Sequence, residues 1–392
     1  MTGVGRRPWV VLSTVVLVAI NLRTLLASVP PVELAIQQTT GWNDFSLGLL
    51  TTVPVIFMGA VALIVPSVAA RIGRPQTVWL ALAVLTVAAG IRWWGAVPGI
   101  MAISVALAGA GIALAAGLVP GIVREQLPHA MGRSTGVWTA TMFTGAAIGA
   151  ALTVPLATAL GSWQAGLTFW AIPAFIAFFV WAIVEQPWKR LRDVVAPRVK
   201  LSSLPWRNGS AWALTAYMAI NSVVFYGALA WIAPSLNERG YTAAESGWLF
   251  GLFAASQILG GLVLPPLTQR LPGRRIVWVI TIVITFASLV VFAINPLIVT
   301  PLLLILFGMS NSGGFAIALG MLSEFVPDAA ASARLTAMAF TVTYLVAALG
   351  PAIAGAILQV TNSWVLVFLV LAALALAQLP TIIPLRKGTL ID

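Results

Sequence analysis

The chain lacks cysteine altogether, carries one histidine, and is short of charge: only 8% of its 392 residues are Asp, Glu, Lys or Arg. The missing cysteines exclude disulfides, thiolate metal sites and cysteine nucleophiles in one step. Soluble domains carry about 25% charged residues, so a surface this poor in charge would aggregate in water. What the chain has instead is 60% hydrophobic residues and a mean hydropathy of +1.01. Lipid is the solvent that accounts for both. Acidic residues are scarcer than basic ones, 10 against 21, and the resulting net charge of +11 would be compatible with a nucleic-acid partner. The placement of the charges argues otherwise.

A helix needs roughly 20 apolar residues to cross the hydrocarbon core. Apolar runs bounded by charge, Gly or Pro fall near 9–36, 45–70, 76–94, 98–123, 134–159 and 163–184, then near 211–236, 246–269, 275–293, 297–323, 335–359 and 364–384. The first run follows Arg6 and Arg7 directly and is too long for the core of a cleaved signal peptide, so it reads as the first span. The fold expected is an all-α membrane protein with twelve transmembrane helices in two six-helix bundles. Residues 1–184 would form the N-terminal bundle, 185–210 a basic, proline-bearing cytoplasmic linker, and 211–392 the C-terminal bundle.

With an even span count both termini share one side. Placing them in the cytoplasm puts 18 of the 21 Lys and Arg residues on the inner side, leaving Arg92 and Arg239 outside and Arg23 within a span. Such a bias is the positive-inside rule, and it predicts a multi-pass inner-membrane protein with cytoplasmic ends. It also explains the basic balance without any nucleic acid. The two halves resemble each other: a shift of 200 pairs Asn21 with Asn221, Ser46 with Ser246 and Arg74 with Arg274. A shift of 201 pairs Gly149 with Gly350, Ser162 with Ser363 and Trp163 with Trp364. Parallel repeats of this kind place a substrate site between the halves at the bilayer midplane.

Arg23 is the sharpest feature. It lies about fourteen residues into the first run, near mid-membrane at a rise of ~1.5 Å per residue. An arginine there needs a wet cavity or a partner, and no acidic residue is expected at that depth. Its fork of donors suits a carboxylate-like anion. Asn21 points about 160° away on an ideal helix and serves either ligand contact or helix packing. Trp138 shares a side of the fifth span with Gly145, as a candidate cavity aromatic. Tyr226 lies among Ser222, Ala230 and Ala233 on one face of the seventh. Asn311 opens Asn311-Ser312-Gly313-Gly314, read either as a loosened helix beside a water path or as interface packing. Gly109, Ala113, Gly117 and Gly121 form a small-residue ridge in the fourth span.

The carboxylates Glu33, Asp44, Glu238 and Glu245 fall at or near the outer face, and Glu125 and Glu324 at inner helix ends. Pairing of Glu125 with Arg74 or Arg133, and of Glu324 with Arg274 or Arg334, would latch the cytoplasmic side. His129 falls in an inner loop, so a central proton relay has no candidate, and uniport, exchange or coupling through the substrate is expected. One histidine and no carboxylate pair at depth supply no catalytic constellation; neither enzyme activity nor a metal or cofactor is expected.

Several segments resemble the cyanate porter family of the major facilitator superfamily, which also holds 2-nitroimidazole transporters. They are Asn21-Leu22-Arg23, Gly136-Val137-Trp138-Thr139, Phe225-Tyr226-Gly227 followed by Ala230-Trp231 and Pro234, Gly313-Gly314-Phe315, and Tyr344 through Gly350-Pro351 to Gly355. Ala70, Ala116 and Ala254 depart from the polar residues of the family pattern. The resemblance implies alternating-access transport of a small anionic or polar compound. Asn21 and Arg23 would be pocket residues, with Trp138, Tyr226 and Asn311 as neighbours. Export of nitroimidazole-type or other drug-like molecules is the alternative. The partners expected are a small-molecule substrate and the bilayer, with the chain acting as a monomer.

Overall fold

The computed structural model describes residues 8–119, 131–187, 204–270, 274–294, 299–326 and 329–385. Among the described residues, every regular element is a helix. Twelve helical stretches are long and apolar enough to cross a membrane, and they are numbered here as spans 1 to 12: Leu12–Thr40, Asp44–Ala62, Arg74–Trp94, Pro98–Ala116, Ala140–Ala159, Trp163–Glu185, Gly209–Glu238, Ala243–Thr268, Arg275–Ile294, Thr300–Leu322, Arg334–Thr361 and Trp364–Ile382. Each overlaps one apolar run of the sequence. The Pro30-Pro31 pair breaks span 1 into a helix, a 3-10 turn over Pro30–Val32 and a short helix Glu33–Thr40, because proline lacks the N–H that would continue the ladder.

The repeat seen in the sequence is a repeat of packing. Ser162 and Ser363 each cap the helix that opens spans 6 and 12, accepting from Ala165 N at 3.1 Å and Leu366 N at 3.3 Å. The tryptophans that follow reach the ends of spans 1 and 7: Trp163 donates to Thr39 at 3.2 Å and Trp364 to Glu238 at 2.6 Å. Gly149 lies against the Thr24 backbone of span 1, and its counterpart Gly350 against the Val223 backbone of span 7. The small-residue ridge of span 4 also does what its spacing predicts, since Gly109 rests on the backbone of Pro54 in span 2. Backbones that approach this closely leave no volume for a side chain.

Contact between the bundles gathers on the side where spans 1 and 7 end. There Gly247 and Gly251 of span 8 meet Ala147, Ala150 and Ala151 of span 5, and Gly48 of span 2 meets Pro351 of span 11. Trp231 of span 7 donates to the Pro351 carbonyl at 3.0 Å and lies against Gly48 and Gly355. On the opposite side, where spans 1 and 7 begin, helix faces are left uncovered. In span 1, Ser13 is exposed and Val16, Ile20 and Arg23 keep part of their surface, while every residue from Thr24 to Glu33 is buried. In span 7, Trp212 is exposed and Ala216 and Ile220 keep part of theirs, while every residue from Asn221 to Ala233 is buried. Arg23 reaches the second bundle, so the stripe of span 1 faces the gap between the halves. The halves pack closely on one side, and on the other these faces of spans 1 and 7 are left uncovered.

Packing this tight makes a specific demand on Gly145, which lies against the Ile20 backbone. Gly145→Val should abolish monodisperse, membrane-extracted protein. Gly261→Ala, at a helical position with nothing within 4 Å, should instead stabilise by about 1 kcal/mol through helix propensity. Size-exclusion profiles and melting curves of tagged protein check both outcomes.

Candidate substrate site between the bundles

Arg23 projects from span 1 into the second bundle. Its Nη1 donates to the Tyr226 hydroxyl at 3.1 Å, and its guanidinium carbon stands 5.6 Å from the Phe225 ring centroid and 5.7 Å from that of Tyr226. Tyr344 of span 11 lies within electrostatic reach of the same guanidinium. Phe225 continues into an aromatic stack through Phe253 to Phe307, with ring centroids 6.2 and 5.0 Å apart. One polar cation is thus walled by rings and phenols from the opposite half.

The guanidinium is incompletely satisfied. An arginine has five N–H donors, and here one goes to a neutral phenol while Nε is buried with no protein partner. A hydrogen bond to a charged group is worth about 1.5–3 kcal/mol, and leaving a buried donor unmet costs about 1–3 kcal/mol. Cation–π contact adds about 0.5–2 kcal/mol. The protein therefore offsets part of the cost of holding Arg23 and leaves donor capacity unused. No carboxylate among the described residues faces it.

The other sequence-chosen residues are not gathered around Arg23. Asn21 is buried against span 6, donating to the Pro173 carbonyl at 3.3 Å and to Leu17 O at 2.7 Å, so it sits on a helix interface inside the first bundle. Trp138 lies in the apolar core of that bundle. Asn311 is buried in the second bundle in a reciprocal pair with span 7: its Nδ2 donates to Asn221 O at 3.4 Å, and Asn221 Nδ2 donates to Asn311 O at 3.3 Å and to Gln378 at 3.4 Å. Span 10 is one unbroken helix there, which of the two readings leaves interface packing. Gly313 makes room for Leu264 and Gly314 for the Tyr217 hydroxyl, while Ser312 donates to Gln257 O at 2.9 Å. The glycines serve close packing.

Of the latch residues, Glu125 lies outside the described residues, as do the side chains of Arg133 and Arg274. Arg74, Glu324 and Arg334 stand at helix ends on the side where spans 1 and 7 begin.

The two arginines that the sequence reading left on the outer side are structural. Arg92, 1% exposed, donates through Nε to Ser104 at 3.1 Å, through Nη1 to Ser28 at 3.2 Å and through Nη2 to Leu25 O at 3.0 Å. It ties span 3 to spans 1 and 4. Arg239 caps the end of span 9, donating to Phe292 O at 2.6 Å with its guanidinium 4.7 Å from the Phe292 ring. Burial pulls this guanidinium below its ordinary pKa, and the nearby Tyr241 hydroxyl opposes that. Only their charge was visible in the sequence; the carbonyls and hydroxyls that satisfy them come from other spans.

A two-bundle, twelve-span fold around a mid-span cation is that of a membrane transporter. The model of the Major Facilitator Superfamily matches residues 11–247 and 212–387, and the chain belongs to that superfamily. It is 27% identical to the 2-nitroimidazole transporter of Escherichia coli (strain K12) over 95% of this chain and 94% of that one. It is 25% identical to the cyanate transport protein CynX of the same organism, over 91% of each, and 28% identical to the transporter YycB of Bacillus subtilis (strain 168), over 92% of this chain and 89% of the relative. Among solved structures, the nucleoside transporter NupG matches with a TM-score of 0.77 at 14% identity, covering 96% of this chain and all of that one. That likeness is of fold.

Arg92→Ala should lower the melting temperature sharply, because three buried hydrogen bonds of one charged group are lost together and Ser104 and Ser28 lose the donor they accept from. Tyr226→Phe removes a single bond to a charged group and should cost only about 1.5–3 kcal/mol. Parallel melts of the purified variants check the difference in magnitude.

Proposed function

We propose that the chain moves a small anionic or polar compound across the cytoplasmic membrane by alternating access, with Arg23 as its anchor. The observation that carries this reading is the guanidinium with unspent donors, partly exposed at the closed end of the inter-bundle gap. A small anion entering that gap would accept from the free N–H groups and complete the neutralisation that Tyr226 begins. Tyr226 and Tyr344 would supply hydroxyls, and Phe225 an apolar wall. Binding would then weaken the Arg23–Tyr226 tie between the halves, giving the ligand different contacts in the two states, as any ligand-driven change of state requires.

The Lys and Arg distribution supports cytoplasmic termini, so the gap would open inward and the sealed side would face out. The division into residues 1–184 and 211–392, joined by 185–210, is consistent with this rocking of two bodies. The similarity to the cyanate transport protein supports the anionic reading. A second reading, export of nitroimidazole-type molecules, is favoured by the Phe225–Phe253–Phe307 stack beside the cation, since a nitro group offers two acceptor oxygens on a flat ring.

Arg23→Ala should abolish transport of labelled cyanate-sized anions into proteoliposomes while leaving abundance and melting behaviour intact, and Arg23→Lys should retain a trace. Normal transport by the alanine variant would reduce Arg23 to a structural role. Accumulation of labelled nitroimidazole in cells with and without the gene separates export from import.

A further inference from the structure

A second unsatisfied polar group lies away from the site, on the sealed side. Glu33 opens the short helix that ends span 1; it is 4% exposed, and its Oε1 is buried with no hydrogen-bond partner. The turn just before it, Pro30–Val32, packs against spans 5, 7 and 8, and Pro31 approaches Gly247 at the junction of the halves. Val32 shares an apolar cluster with Trp231 and Ala354 of the second bundle. Glu33 is therefore built into the closed seam.

The charged groups around it are mostly of its own sign. Asp44 of span 2 acts on Glu33 directly and accepts from Gln37 Nε2 at 3.1 Å. Glu238 at the end of span 7 acts in turn on Asp44 and accepts from Trp364. Glu245 of span 8 is turned to solvent and accepts from Thr242, while Arg239 is engaged with the carbonyls of span 9. Span 5 carries no ionisable residue between Ala140 and Ala159. A carboxylate oxygen buried without a donor, within electrostatic reach of a second carboxylate, is a costly arrangement that a bound proton relieves.

We infer that Glu33 is a proton-binding site that controls the seam: the protonated carboxyl is compatible with the closed junction, and losing the proton to solvent opens it. One proton adds to the Glu33 carboxylate on closing and leaves on opening, with no other group changed. The inference is independent of the substrate and of Arg23.

The chain has no native cysteine, so spin labels attach only where placed. Gln38→Cys and Val360→Cys, both exposed, lie on opposite sides of the seam. Their separation is measured by pulsed electron resonance in zwitterionic nanodiscs from low to high pH. In the otherwise native protein the long-distance population should grow as pH rises; in Glu33→Gln the short distance should persist throughout. Asp44→Asn should keep the response but move its midpoint to lower pH. A native protein that does not respond, or a Glu33→Gln protein that titrates like the native one, would overturn the inference. If Glu33→Gln is not recovered folded, an unmoved midpoint in Asp44→Asn overturns it and a lowered one upholds it.

Discussion

One charged group at the junction of the bundles is satisfied by neither half of the protein alone. Arg23 belongs to the first bundle by sequence and to the second by its contacts, for its bond and its ring partners lie on span 7. An arginine at mid-membrane costs about 3 kcal/mol even on the lenient insertion scales. A phenol and two aromatic faces offset part of that. The remainder is donor capacity that the protein leaves unmet where the two bodies meet. A seam of small residues lies on one side of it and the uncovered stripes of spans 1 and 7 on the other.

Duplication explains why so much of the scaffold is regular and why the site is not. Caps, tryptophan struts and glycine contacts recur in both halves at corresponding positions, as the pairs Ser162–Ser363 and Gly149–Gly350 show. The same alignment places Val223 where the first half has Arg23, and Leu26 where the second has Tyr226. The symmetric frame brings the two positions together, and the departure from symmetry gives them opposite chemistry, a cation on one side and a phenol on the other.

The spans were legible because hydrophobic length is a local property, and the repeat because equal packing requires equal small residues. Arg23 was legible because a charge in an apolar run is conspicuous. What could not be read was orientation within the fold. Asn21 lies two residues from Arg23 yet faces span 6, and Asn311 spends its amide on span 7; in both cases the partner is a backbone carbonyl from a distant helix, invisible to sequence pattern. The Gly313-Gly314 pair carries the same composition whether a helix is loosened or tightly packed, and only Leu264 and Tyr217 opposite decide it. Arg92 and Glu33 were both assigned to a polar outer rim, whereas the fold of Pro30–Val32 and the end of span 3 bury them, one fully bonded and one not.

The central claim is that the spare donors of Arg23 form an anion site in the resting protein. Ligand-induced stabilisation tests it most directly: purified native protein and its Arg23→Ala variant are melted with increasing cyanate, nitrate or small carboxylates at constant ionic strength. The account predicts a saturable rise in melting temperature for at least one of these anions in the native protein and none in the variant. An equal rise in both, or none in the native protein with any small anion, would contradict it.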